Sequence, residues 1–219
     1  REYVTQDQVR LDIGTQISKV YSLKHYQADS AATPLIETGQ FPRKIVTDVV
    51  PPMILYRGYP KTQDITTDYR LPAGAPVMSY VEPKPTLQWQ VKPEKREILG
   101  HSCQRAEVSF GGRQWIAWFT SEIPLSEGPY KFGGLPGLIL EVADSEGDYR
   151  YTCIGIANLS AGENIVRWKW NQRPTTRKEL EKIIVQLYAN PEQAIKALGG
   201  RMGFKGDPML NLPYNPIEK

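Results

Sequence analysis

The 219-residue chain carries 27 basic and 24 acidic residues, a net charge of +3, with 40% hydrophobic and 23% charged side chains. That near balance leaves no basic face for nucleic acid, and no run approaches the ~18 apolar residues of a membrane helix. A β-rich chain of this size is commonly one sandwich or barrel, so a single domain over residues 1–219 is expected.

The chain opens on Arg1 rather than Met and shows no signal-peptide pattern, which predicts a mature product whose leader has been removed. Val9, Leu11 and Ile13 alternate with polar residues, and Ile17, Val20, Tyr21 and Leu23 follow after Gly14, giving short β-like runs. Residues 49–56 are apolar but contain Pro51 and Pro52, the mark of an edge strand or extended segment. Proline-rich residues 57–86 predict a long ordered loop, packed down by Tyr59, Tyr69, Met78 and Tyr80.

From Leu87 the pattern sharpens. Leu87, Trp89 and Val91 alternate, as do Ala106, Val108 and Phe110; Gly111-Gly112 then separates that run from Trp115–Phe119, which predicts a tight hairpin. A second hairpin joins 138–142 to 149–156 through a polar turn, and 163–170 reads as a further strand. Leu180, Ile183, Ile184, Leu187 and Tyr188 then form one helical stripe. Thr176 with Glu179 makes a capping box, and Asn190-Pro191 opens a shorter helix ending near Gly199. The pair over 175–198 predicts a helical layer on one face of the sheet. Residues 202–219 read as an extended Gly/Pro-rich tail.

The chemistry-bearing side chains form no catalytic constellation. Cys103 and Cys153 are compatible with one disulfide or with two buried thiols on strands. His25 and His101 stand far apart, and no Cys/His cluster has zinc spacing, so no metal and no cofactor is expected. His101 and Cys103 would share a strand face, but a nucleophilic pair needs an orienting third group, and none is evident. Asp144, Glu146 and Asp148 resemble part of a calcium loop without its downstream bidentate Glu; a polar hairpin turn explains them equally well. Ser121 and Ser126 lie near Glu122 and Glu127 without a nucleophile elbow. Trp89, Trp115, Trp118, Trp168 and Trp170 fit the core and rim of a sheet, or an aromatic-lined face for a lipid, peptide or glycan.

Between the hairpins lies GPYKFGGLPGLIL, residues 128–140. Gly128, Gly133, Gly134 and Gly137 permit unusual backbone angles while Pro129 and Pro136 restrict them; Phe132, Leu135 and Leu138 are its apolar anchors. The run GLPGLIL, preceded by WIAWFTSEIPLSEGPYKFG, resembles the defining motif of the GLPGLI family of exported Bacteroidota proteins. Upstream, ILGHSCQRAEVSFGGRQW follows the family's I-x-G-Y-x-C-x-x-A…F-x-G-R-x-W pattern, with His101 in place of Tyr; downstream, Asp144, Tyr149 and a closing YNPIE continue it. The match is dense over 89–156.

The resemblance implies a periplasmic or cell-envelope location, favours the Cys103–Cys153 disulfide, and carries no catalytic residues. By analogy it implies a β-rich α+β fold built on a curved, half-barrel-like antiparallel sheet. The expected function is a non-catalytic binding or carrier domain for a hydrophobic or extended ligand (lipid, peptide or glycan), held by Trp115, Trp118, Tyr130, Phe132 and Leu135. The alternative is a structural protein docking with outer-membrane machinery, and a hydrolase is a third option.

Overall fold

The computed structural model describes residues 4–37, 52–71, 76–158, 164–168, 171–198 and 214–219. It is β-rich and of the α+β class, with its strands divided between two sheets. The chain forms two compact units: Arg1–Pro83 with Ile165–Tyr214, and Lys84–Asn164 with Asn215–Lys219.

The first unit contains a six-stranded sheet. Strands β1 (Val9–Ile13), β2 (Ser18–Ser22), β3 (Met53–Arg57), β4 (Asp64–Tyr69) and β5 (Val77–Pro83) pair antiparallel in sequence order, and β11 (Gln172–Pro174) adds parallel to β5. Ile54, Leu55, Tyr56, Ile65, Thr66, Thr67 and Asp68 are all at most 1% exposed. Alternate residues point to opposite faces, so both faces are covered there. Helices α2 (Arg177–Ala189) and α3 (Pro191–Ala197) bring Leu180, Leu187 and Ala194 onto Leu71, Met78 and Tyr80. Burying each leucine contributes about 1.5–3 kcal/mol. Tyr21, Ile54 and Tyr56 form a second cluster with Tyr59 and Trp168.

The expected loop over 57–86 instead holds β4 and β5. β-branched Ile65, Thr66 and Thr67 carry β4, while Pro60 precedes it and Pro76 and Pro83 bracket β5, so the prolines mark strand ends. Likewise Pro52 stops short of β3, which is an interior strand rather than an edge. Helix α1 (Leu23–Glu37) forms without a sustained apolar stripe in its sequence. Residues 164–168 are in no strand; 163, 169 and 170 lie outside the described residues, as do Gly199 and 202–213. The capping box of α2 is present: Glu179 N donates to Thr176 Oγ1 at 3.2 Å, and Thr176 N to Glu179 Oε2 at 2.9 Å.

The second unit is a five-stranded antiparallel sheet in the order β10-β9-β8-β7-β6: β6 (Gln90–Ile98), β7 (His101–Phe110), β8 (Arg113–Thr120), β9 (Leu138–Asp144) and β10 (Arg150–Thr152). The β7–β8 turn is the expected Gly111-Gly112, with φ of +57° and +73°, the paired positive angles of a primed turn. Ala106, Val108, Trp115, Ala117, Phe119 and Val142 are buried on the inner face. Arg105, Trp118 and Glu141 lie in register on the other.

Residues 128–137 cross the inner face and supply its second layer. Phe132 is fully buried, its ring centroid 4.7 Å from that of Trp115 and 5.9 Å from that of Phe110. Trp89 Nε1 donates to the Gly133 carbonyl at 2.8 Å. Gly137 has φ +155°, and a Cβ there would stand 2.1 Å from the Thr120 carbonyl oxygen. The motif's glycine is therefore required by backbone crowding as the chain turns into β9.

Candidate functional site

A cluster of charge built around a buried arginine lies in the second unit, where β8 begins. Arg113 is the first residue of β8, and its side chain is fully buried. Its Nη1 donates to Asp144 Oδ2 at 2.6 Å, Asp148 Oδ2 at 2.7 Å and Glu146 Oε2 at 3.2 Å. Burial alone would lower the guanidinium pKa, but hydrogen bonds to Asp148 and Asp144 outweigh it and raise the value. Hydrogen bonds from Asn215 and then Arg113 hold the Asp148 carboxyl below its usual range.

The three carboxylates are the ones whose spacing resembles a calcium loop, and each places an oxygen within 4.8 Å of the others. They could ligate a cation, but the guanidinium already stands among them. A metal ion would have to displace a buried arginine from its own counter-ions.

The other edge of Arg113 reaches Asn215 and Pro216, and neighbouring groups hold Glu218 and Lys219. Its Nη2 donates to Asn215 Oδ1 at 2.5 Å and the Pro216 carbonyl at 3.0 Å, and Tyr149 Oη donates to the Asn215 carbonyl. Lys131 Nζ donates to Glu218 Oε1 at 2.6 Å, and the Tyr130 hydroxyl donates to the same oxygen. Both Tyr130 and Lys131 are buried, at 4% and 3% exposure. Lys219 N donates to the Gly111 carbonyl at 2.7 Å, and Lys219 Nζ pairs with Glu146 at 2.5 Å. A Cβ on Gly111 would stand 2.7 Å from Glu218 Cγ. The result is a polar cradle seating one short segment. It is built from the β7–β8 turn, the acidic β9–β10 turn and the motif residues Tyr130 and Lys131.

In the first unit, the cation of Lys19 is buried differently. Lys19 on β2 is 5% exposed, with Nζ 4.1 Å from the Trp168 ring centroid, 4.6 Å from Tyr21 and 5.6 Å from Tyr56. Its hydrogen bond to the Val166 carbonyl is long, 3.5 Å. Burial lowers its pKa, partly opposed by Asp12. Burial raises the Tyr21 hydroxyl, reinforced by its hydrogen bond to Asp12, and burial with the Asp68 charge raises Tyr56. Nearby, Arg167 forms a two-pronged pair with Asp68, at 2.6 and 3.0 Å. A cleft of about 470 Å³ also opens in this unit, lined by Met78, Ile183, Ala197 and Leu198 with Arg173 and Lys182.

Of the residues expected to line a ligand face, Trp115, Tyr130, Phe132 and Leu135 are at most 4% exposed and belong to the core of the second unit. Trp118 is half-buried on the opposite face, with the Arg96 guanidinium 4.2 Å above its ring. The structure thus brings four together in the core and sets the fifth apart. Cys103 and Cys153 are free thiols. Cys103 is buried, its thiol pushed up by burial, and it donates to the His101 carbonyl at 3.5 Å. The His101 ring instead meets Glu122 at 2.7 Å. That contact, with the Ser102 amide, lowers the Glu122 carboxyl.

A family model described as "Protein of unknown function (Porph_ging)" matches residues 111–141, from the β7–β8 turn through the motif. No curated protein matches the chain. Among solved structures, PNGF-II in a C2 crystal form is similar at TM-score 0.52 and 12% identity, over 83% of this chain and 30% of that one. Its P21 form gives TM-score 0.49 and 12% identity, over 84% and 31%. At such identity the likeness concerns fold alone. The chain spans less than a third of the PNGF-II chains.

Proposed function

We propose that this chain is a non-catalytic binding domain of the cell envelope, related to the exported GLPGLI proteins, that takes an extended, peptide-like ligand. One observation carries the reading: the second unit already holds residues 215–219 through buried Arg113, Tyr130 and Lys131 and a backbone bond to Gly111. Charged groups fixed in a low-dielectric floor interact more strongly than the same groups in water. They also discriminate by leaving a mismatched partner unpaired. Recurrence of the fold over less than a third of PNGF-II supports a module used within longer chains.

The hydrophobic-ligand form of the reading rests on the cleft beside Met78, Ile183 and Leu198, because Trp115, Tyr130 and Phe132 are packed inside. The docking alternative draws on Ile154 and Ile156, 71% and 47% exposed, which follow the sheet-edge strand β10. Exposed apolar residues beside a sheet edge suit an added strand. To test the main reading, the full chain is immobilised and offered a pool of random hexapeptides, and retained peptides are sequenced. Saturable retention of an enriched subset is expected. Retention no better than a blank surface sinks the proposal, and capture of an envelope protein that Ile154→Asp abolishes moves the assignment to docking.

A further inference from the structure

We infer that the cleft of the first unit binds a single-chain fatty carboxylate, its tail on Met78, Ile183 and Leu198 and its head at Arg173 and Lys182. This rests on the hydrophobic-ligand form of the reading above and gives that form a ligand class. It does not involve the cradle.

Three elements of the first unit build the cleft. Strand β11 runs parallel to β5 and sets Arg173 opposite Met78, and residues paired in this way share one face of the sheet. Met78 also meets Leu180, Leu187 and Ala194, so that face is the one beneath α2 and α3. Glu179, Lys182 and Ile183 stand at i, i+3 and i+4 on α2, which puts them on one flank of the helix. Ala197 at the end of α3 and Leu198 just beyond it complete the lining.

That lining is divided by chemistry. Met78 is 2% exposed, and Ile183 and Leu198 pack against the same cluster. With Pro174 and Ala197 they supply the aliphatic surface. The charged lining residues are Arg173, Lys182 and Glu179. Glu179 is already engaged in the cap of α2: its Oε2 accepts from the Thr176 amide at 2.9 Å and from Thr175 Oγ1 at 3.2 Å. Lys182 acts on it only through space. Both cations are exposed, and among the described residues neither head group has a hydrogen bond or an ion pair. Arg177 on the same helix is instead held by Glu181 at 2.7 Å and Glu82 at 3.7 Å.

Size and charge choose the ligand. A cleft of about 470 Å³ falls in the lower part of the range for small-molecule sites, which suits one acyl chain rather than the paired chains of a phospholipid. The tail gains by leaving water. A guanidinium offers a planar fork that matches a carboxylate, and an ammonium adds a point charge. A cationic amphiphile would find the same tail surface but a repelling rim.

The test titrates dodecanoate into the full chain by calorimetry, below its micellar concentration. One saturable site is expected. Octanoate should bind at least ~10-fold more weakly, because each buried methylene is worth about a fourfold change. Dodecyltrimethylammonium, with the same tail and the opposite charge, should also bind at least ~10-fold more weakly. Arg173→Gln with Lys182→Gln, both at exposed positions, should weaken dodecanoate roughly 10-fold and close most of the gap between the two amphiphiles. Ala197→Trp, also exposed, fills the cleft and should abolish the site. Equal binding of the two amphiphiles by wild type, or an unchanged dodecanoate affinity in the double variant, overturns the carboxylate head but leaves a hydrophobic cleft standing. Undiminished binding by folded Ala197→Trp places the site elsewhere and overturns the inference; if that variant does not fold, the double variant decides. No saturable dodecanoate binding ends both the inference and the hydrophobic-ligand form, while the peptide reading stands or falls on the hexapeptide pool.

Discussion

Arg113 in the second unit and Lys19 in the first are cations buried by opposite means. Arg113 is enclosed by three carboxylates, so its charge is neutralised on site. Lys19 is enclosed by three aromatic rings and a distant carbonyl, so its charge is tolerated through ring quadrupoles. The pKa directions follow: the guanidinium is raised and the ammonium lowered. Rings soften burial, but carboxylates can reverse its sign. A neutralised charge becomes a structural keystone, and a merely tolerated one remains a local cost.

That contrast breaks first at Arg113. Arg113→Met would leave Asp144 buried without its counter-ion, and urea unfolding should show a loss of about 3–5 kcal/mol. Arg113→Lys should recover only part of it, because one ammonium cannot span the acidic turn and Asn215 as the guanidinium fork does. Next comes Gly111→Ala, which forces a side chain into left-handed backbone and against Glu218. A loss of roughly 2 kcal/mol is expected, with faster hydrogen exchange at Lys219. Lys19→Met should be the mildest, within about 1 kcal/mol of wild type and tending to stabilise, because an apolar isostere removes a desolvated charge. A loss at Lys19 as large as at Arg113 would end the distinction.

A pH series sharpens it further. Asp148 is held below its usual pKa, so its contribution is present above that usual value and lost as pH falls through the folded one. The lowered Lys19 pKa means the folded state sheds that proton first, so stability rises as pH climbs from the folded value toward 10.5. Tyr21 and Tyr56 are raised, so their contribution is lost as pH rises above 10. Lys19→Met should erase the alkaline rise and leave the acid limb unchanged, read by Tm across pH.

What the sequence made legible was local. Gly111-Gly112 announced its hairpin because two adjacent positive φ angles demand glycine, and Thr176 with Glu179 announced its helix because the capping box is closed within four residues. Strands β4 and β5 were hidden because proline density resembles a loop when the prolines in fact stand at strand ends. Helix α1 had no apolar stripe to read. The cradle was hidden for another reason: Arg113 and Asn215, or Lys131 and Glu218, come together only through the fold. Both halves stood within the quoted family patterns, FGGR and YNPIE, yet nothing in spacing alone joins them. The tryptophans misdirected for the converse reason, since Trp115 signals burial as readily as a ligand face.

The interleaving of the two units has a consequence for biosynthesis. The first takes its pieces from Arg1–Pro83 and Ile165–Tyr214, and the second from Lys84–Asn164 and Asn215–Lys219. Neither can close as its first stretch leaves the ribosome. At roughly 5–20 residues per second, the second unit waits several seconds between making its sheet and receiving the residues that cover Arg113, Tyr130 and Lys131. During that interval the nascent chain is unfinished in both units at once.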